Sequence, residues 1–484
     1  MDDAERVGQP TRPYQLHPAT AGLFADGAPR CAAAGGTFTR LNPTTDMTAS
    51  VAAAGRAGDA DDLTLIAASR FAEWAACPGA DRAAVLRRAA ALIPQYADRF
   101  AASMTAETGA TADWVAFNLT IAADMLRVTA SMAEATPETP ANVVRVPAGV
   151  CVAIAPWNAP VALGMRAIAF PLAFGNSVVF KASELCPVTH VLLGHLLHDA
   201  GLPPGVLNII TNAPEHAEEV VEALIANPAV RRVNFTGSTR VGRIVAGIGA
   251  RHLKRCLLEL GGKSPFIVLA DADIPRAVDA ATHGAYLNAG QICMATDRII
   301  VDHRIADAFV AALVDRATLL TAGDPRLPVT RVGPLATPAI AARLSALIDD
   351  ATAKGATLRA GGPARGQFMD ATVVDNVSPM MRIYHEECFG PIVGIYRTGS
   401  VDEAITIAND SAYGLSSAVW GRDKAAARAV ADRLDSGICH INGATVADDP
   451  TMPFGGIKDS GYGRFGGTAC LDEFTELRWI TTQD

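Results

Sequence analysis

"GVCVAIAPWNAPVALGMRAIAFPLAFGNSVVFKASE", residues 149–184, decides the fold. It opens with an unbroken apolar run, "GVCVAIAP", and closes with a second, "SVVFK". Between them, residues near 160–174 read as a helix behind Pro160. Strands covered on both faces read as continuous apolar runs, and a helical crossover between two of them makes them parallel neighbours. The same rhythm continues through "GVLNIIT", "RRVNFTGS" and "CLLELGG", with helical stretches near 187–200, 215–226 and 239–248. The pattern predicts a doubly wound α/β domain.

A second α/β pattern follows "LELGG". It comprises "PFIVL", a helix around 273–288, "RIIVD", helices near 304–320 and 336–354, "PIVGIYR" and "GICHIN". Upstream, residues 58–133 are alanine-rich with helical periodicity. Asp81 is the candidate N-cap and Gly109 the candidate stop. "LFADGAPRC" and "GTFTRLNP" read as two short strands joined by glycine turns, and residues 1 to about 20 as a loose arm. Two outlying extended segments, "PETPANVVRVP" (137–147) and "LDEFTELRWITTQD" (471–484), can pair with each other or with another subunit.

Bulk properties exclude several classes. The 484 residues carry a net charge of -9, with 50% hydrophobic and 19% charged residues. No basic stripe is present, which argues against nucleic acid as a partner. The most membrane-like run, "APVALGMRAIAFPLAFG", contains Arg166 and two prolines. The N-terminal "MDDAERVGQPTRPYQLHP" has no signal-peptide core, so the expected location is the cytoplasm. The nine cysteines are scattered and odd in number, with no C-x-x-C pair, which argues against a disulfide framework and a zinc site. "HEECFGP" has Phe389 where a second zinc-ligating histidine would stand, and His195 and His198 read as ordinary helical histidines. No metal is expected.

Chemistry-bearing residues fall at the ends of these elements. Cys293, in "NAGQICMATDR", follows Ala289 and Gly290, which allow close backbone approach. It reads either as a buried structural thiol or as a nucleophile whose own N–H helps hold an oxyanion. Glu259 ends the apolar run of "LLELGGK", where open sheets bind ligands. It reads as a surface carboxylate or as a general base with a raised pKa. Asn158 in "IAPWNAP" reads as a helix N-cap or as an amide donor to an oxyanion. Lys181 and Glu184 in "VVFKASE" read as a solvated pair or as ribose contacts. "FTGSTRVG", with Gly237, Ser238 and Gly242, is a strand-to-helix turn of the kind that takes phosphate on backbone N–H groups.

Taken together and in order, the blocks "PWNAP", "KASE", "NFTGSTRVG", "LELGGKSP", "NAGQICMATDR", "EECFGP", "ANDSAYGLSSAVW" and "MPFGGIKDSGYGR" closely resemble the aldehyde dehydrogenase superfamily, from "LFADG" to "TELRWI". The resemblance implies a Rossmann-like cofactor domain over 1–128 and 149–258, and an α/β catalytic domain over 259–455. It implies small β oligomerisation or bridging segments at 129–148 and 456–484, in a homodimer or homotetramer. It makes Cys293 the nucleophile, Glu259 the base that activates water, and Asn158 the side-chain half of the oxyanion hole. Lys181 and Glu184 match adenosine-ribose contacts, with Ser183 between them. Ser238, beside Gly237, matches a pyrophosphate contact, and Trp157 lines the nearby cleft. Glu386 matches the ribose contact on the nicotinamide side, with Phe389 packing near that ring. NAD is the expected cofactor, with NADP left open: the Glu184 carboxylate would accept from a 2′-hydroxyl and repel a 2′-phosphate.

Within the superfamily, "RRVNFTGSTRVGRI", "SGICHING", "MPFGGIKDSGYGRFGG" and "EFTELRWIT" resemble the salicylaldehyde, benzaldehyde and vanillin dehydrogenase branch. An aromatic aldehyde is therefore the expected substrate. The candidate pocket residues are Leu163, Arg166, Trp114, Ile292, Met294 and Phe454. Arg166 reads as a partner for a ring hydroxylate, as an anchor for the distal carboxylate of a semialdehyde such as succinate semialdehyde, or as half of a structural ion pair. "AYLNAGQIC" lacks the further arginine that semialdehyde enzymes of this kind tend to carry. An inactive structural homologue, a CoA-acylating enzyme and a cysteine hydrolase are the rival readings. The intact Cys293, Glu259 and Asn158 set speaks against the first, Glu259 against the second, and the lack of a histidine near Cys293 against the third.

Overall fold

The computed structural model describes residues 19–135 and 140–483. The arm read at the N-terminus therefore lies outside the described residues up to residue 18, as does part of the 137–147 stretch. Three long helices, Ala57–Ala76, Gly79–Thr108 and Ala112–Glu134, account for the alanine-rich region. The second starts directly behind Pro78, so Asp81 sits inside its first turn instead of capping it. An acidic residue there still complements the positive end of the helix dipole. Gly109 ends the helix in the left-handed conformation, φ 76°, as a glycine readily does.

The first α/β unit is an eight-stranded sheet. Its five central strands are parallel, in spatial order Arg255–Glu259, Val230–Thr236, Val150–Ile154, Ser177–Lys181 and Leu207–Ile210. From Val150–Ile154 the chain steps outward one way through Ser177–Lys181, then returns to the other side at Val230–Thr236. The order thus reverses between Val150–Ile154 and Val230–Thr236. A crevice opens at the carboxyl ends of strands at such a reversal, because the loops leaving them diverge. Pro156, Trp157 and Asn158 leave one of these strands, and Gly237 and Ser238 leave the other.

The second unit is a seven-stranded sheet running Thr357–Ala360, Thr372–Asp375, Ile392–Thr398, Thr296–Asp302, Ser264–Val268, Ser416–Trp420 and Ile438–Ile441. It is parallel except at its first pair. Its central strands are buried along their whole lengths, as their apolar runs require.

Two features cross residues 128 and 456. The helix Ala112–Glu134 runs through residue 128 unbroken. Gly461–Tyr462 adds antiparallel to the outer strand Arg255–Glu259 of the first sheet. The two outlying segments do pair with each other: Val143–Pro147 and Thr475–Trp479 form an antiparallel ribbon, from Thr475 opposite Pro147 to Trp479 opposite Val143. Leu477, Trp479 and Ile480 on it are exposed, Trp479 at 72%. His195 and His198 pack edge-on against Phe24, at 5.1 and 6.3 Å between ring centroids.

Candidate active site

Asn158 comes four residues after the strand Val150–Ile154. The helix that follows, Pro160–Ala173, is capped by Ala159 with no side-chain cap bond, so the Asn158 amide is not used as an N-cap. Its Nδ2 donates instead to the Gln291 carbonyl at 3.0 Å, two residues before Cys293. Its own carbonyl accepts from Trp114 Nε1 at 2.7 Å and from Asn288 Nδ2 at 3.1 Å. The amide is thereby fixed to the loop that carries the thiol.

That loop is strained. Asn288, Ala289 and Gly290 are left-handed in succession, at φ 50°, 53° and 65°. Each non-glycine residue in that region costs about 1–2 kcal/mol. The buried Gln291 side chain offsets this by spanning the turn. Its Oε1 accepts from Ala336 N at 2.9 Å, and its Nε2 donates to Asn288 O at 3.2 Å. A side chain on Gly290 would meet the Gly390 carbonyl at 2.2 Å, so only glycine fits. Cys293 emerges half-buried, and its N–H makes no hydrogen bond among the described residues.

Glu259 is the last residue of its strand, with its carbonyl held by Gly237 N at 3.0 Å. Its side chain is 1% exposed, and neither carboxyl oxygen has a hydrogen-bond partner among the described residues. Burial pushes the carboxyl up to about 7. Burial and the neighbouring Glu259 carboxylate push the Cys293 thiol well above its ordinary value. A buried acid poised near neutrality beside a thiol can take a proton from it, or from a water drawn to the same place. The two glycines after Glu259 are steric requirements. A side chain at Gly261 would strike Glu387 Oε2 at 2.5 Å, and one at Gly262 the Cys293 carbonyl at 2.4 Å.

Two adjoining cavities, of about 500 and 640 Å³, open at the crevice and share Pro156, Trp157, Gly237 and Ser238. The first is lined by Lys181, Ser183 and Glu184, with an apolar wall that includes Val221 and Ile244. Lys181 and Glu184 form an ion pair, and Glu184 Oε1 also accepts from Asn212 Nδ2 at 2.9 Å. Burial opposes the Glu184 charge, yet the Lys181 ammonium holds the carboxyl below its ordinary value. The second cavity reaches Asn158, Leu163, Glu259 and Cys293. Trp157 and Phe389 stand edge to face beside it, with centroids 5.9 Å apart. An apolar slot, a carboxylate beside it and a small-residue turn between them fit a dinucleotide laid from the first cavity into the second.

Several expected residues sit differently. The Glu386 side chain also borders the second cavity, but its carboxylate is engaged by Arg382 at 2.7 and 3.1 Å. The adjacent Glu387 is the carboxyl aimed between the catalytic loops. It accepts from Gly262 N at 2.9 Å, and burial pushes it up to about 8. The sequence reading passed over Glu387, which the structure turns toward Gly262. Arg166 is not an open channel residue. It is 2% exposed, ion-paired with Asp448 and stacked 4.0 Å over the Phe454 ring. Asp448 carried no signal in the sequence. Trp114, Ile292, Met294 and Phe454 are all buried, in the apolar cluster against which Cys293 packs. None of the four borders the two cavities; Phe454 lines a separate one with Asp448, Cys439 and His440.

A doubly wound crevice facing a second α/β unit, with a thiol, an unpartnered carboxyl and an amide meeting at its floor, is the architecture of one oxidoreductase class. The chain belongs to the aldehyde dehydrogenase family, whose sequence model matches residues 31–480. It is 51% identical to a vanillin dehydrogenase of Pseudomonas fluorescens over 95% of this chain and 97% of that one. It is 45% identical to a salicylaldehyde dehydrogenase of Pseudomonas putida over 92% and 95%. The crystal structure of a salicylaldehyde dehydrogenase from Pseudomonas putida G7, complexed with salicylaldehyde, superposes with a TM-score of 0.93 at 43% identity. It covers 96% of this chain and 98% of that one.

Proposed function

We propose that the chain oxidises an aromatic aldehyde, of the benzaldehyde, salicylaldehyde or vanillin kind, to its carboxylic acid. The observation that carries this reading is the unpartnered, buried Glu259 carboxyl beside Cys293, with the Asn158 amide bordering the same cavity. Cys293 Sγ bonds to the aldehyde carbon and passes its proton to Glu259, which releases it to solvent before the second step. The carbonyl oxygen becomes an oxyanion held by the Asn158 Nδ2 and the Cys293 N–H. Bound NAD(P) supplies the acceptor for the hydride that leaves this carbon. The resulting thioester on Cys293 is opened by a water whose proton goes to Glu259. The carbon–sulfur bond breaks and the acid departs, so one hard step becomes two easier ones.

NAD is favoured over NADP by the Glu184 carboxylate, kept charged beside Lys181, and by Glu215 and Glu218 along the same cavity. Trp157, Ser183, Gly237 and Ser238 line the path of the dinucleotide, and Glu387 takes the nicotinamide-side ribose role first given to Glu386. Cofactor-domain segments 1–128 and 149–258, catalytic segment 259–455 and bridging segments 129–148 and 456–484 remain the proposed division. The aromatic preference is supported by the relatives and by Leu163, Trp157 and Phe389, which border the cavity that holds the thiol. A succinate semialdehyde would need a free cation for its distal carboxylate, and Arg166 is already paired with Asp448. We further propose a cytoplasmic homo-oligomer, supported by nine unpaired cysteines and by the apolar ribbon. Steady-state kcat/KM, read as NADH formation, should be highest for benzaldehyde, salicylaldehyde or vanillin. A panel dominated by succinate semialdehyde would overturn the substrate class, and no turnover of any aldehyde would overturn the enzyme reading.

A further inference from the structure

The two cavities must together receive a doubly negative diphosphate, yet their walls are acidic. Glu184, Glu215 and Glu218 border the first, and Glu259, Glu386 and Glu387 the second. Against these six acids stand three cations: Lys181, Arg240 and Arg343. Lys181 is committed to Glu184. Arg343 donates to the carbonyls of Glu387 and Cys388. Arg240, in the first turn of the helix Thr239–Arg251, makes no ion pair or hydrogen bond among the described residues. One turn on, Arg243 is tied to Asp459. Arg240 is also the cation that borders both cavities, at their junction beside Gly237 and Ser238.

We infer that Arg240 is the charge that holds the bridging diphosphate of the dinucleotide, an inference that rests on the cofactor reading above. The adenosine-ribose end is marked by Lys181 and Glu184, which border the first cavity alone. The thiol borders the second alone. The span between them passes the arginine. Ser238 Oγ accepts from Val241 N at 3.4 Å and keeps its own proton free to donate to the same diphosphate. A guanidinium there gives charge-assisted, two-pronged contacts to phosphate oxygens that an amide cannot match. Because Arg240 is solvent-exposed, its contribution is screened by salt.

The test compares Arg240→Gln and Arg240→Lys with the unaltered enzyme. It measures dissociation constants for NADH and NADPH by fluorescence, and for ADP-ribose and adenosine by calorimetry, at several salt concentrations. Thermal melting without ligand serves as the folding control and should be unchanged, since the side chain is exposed and unpartnered. Arg240→Gln should weaken NADH and ADP-ribose alike by about tenfold at low salt, and should flatten the salt dependence of both. Adenosine, which lacks the diphosphate, should bind all variants equally, and Arg240→Lys should restore part of the loss. Equal ADP-ribose binding by Arg240→Gln and the unaltered enzyme would overturn the inference. So would a loss confined to NADP, which would move the arginine to a 2′-phosphate. Failure of the unaltered enzyme to bind NADH would instead remove the cofactor reading, and this inference with it.

Discussion

Glu259 holds its proton up to about pH 7 because burial disfavours its charged form. Its base form is therefore gained as pH rises through that value. kcat for aldehyde oxidation should fall about tenfold per unit below pH 7 and level off above. Glu259→Gln should remove that limb and slow steady turnover by about 100-fold or more. Asn158→Ala removes an oxyanion donor and should cost about 100-fold or more in kcat without comparable loss of cofactor binding. Asp448→Ala strands the Arg166 guanidinium in the interior. A loss of about 3–5 kcal/mol in unfolding free energy, measured by denaturant titration, is the expected outcome. Cys293, Glu259 and Asn158 stood out in the sequence through the family resemblance, since local pattern left each open to a structural reading; the structure brings all three to one cavity. A structural ion pair was one of three readings of Arg166, but its partner lies 282 residues away, and only folding brings Asp448 to it. Glu386 and Glu387 were indistinguishable in sequence, since neighbouring residues in a loop have no periodicity to orient them.

At the scale of elements, the close approach between the Glu259 strand end and the Cys293 loop leaves no room for a methyl group at Gly262. The opposing atom is a backbone carbonyl, which cannot rotate aside. Gly262→Ala should therefore lower both kcat and Tm, with the activity loss the larger because the displaced residue is the nucleophile. The parallel strands were readable from unbroken apolar runs, and Gly109 marked a helix end because few other residues adopt its backbone angle at low cost. Asp81 misled as a cap because Pro78, three residues earlier, already fixes the φ angle a helix entry needs. The left-handed turn over Asn288 and Ala289 was hidden. Its residues are ordinary in composition, and the strain is supported by the remote Ala336 and Pro334 contacts of Gln291.

For the whole molecule, the ribbon of Val143–Pro147 and Thr475–Trp479 leaves Leu477, Trp479 and Ile480 in solvent. Two-stranded ribbons are marginal alone and gain by packing against a further surface. Replacing Leu477 and Trp479 together with glutamate should shift sedimentation from the oligomer to the monomer. The two sheets were foreseeable from the alternation of strand and helix. Their interlocking was not, because it depends on a two-residue strand, Gly461–Tyr462, too short to carry a pattern. That strand closes the edge beside Glu259, and the Arg232 side chain reaches on to the carbonyls of Glu473 and Thr475. A ribosome must therefore release the chain past Tyr462 before the outer strand of the cofactor sheet gains its last neighbour. A polypeptide halted before Gly461 would leave the tunnel with Glu259 on an unsealed flank.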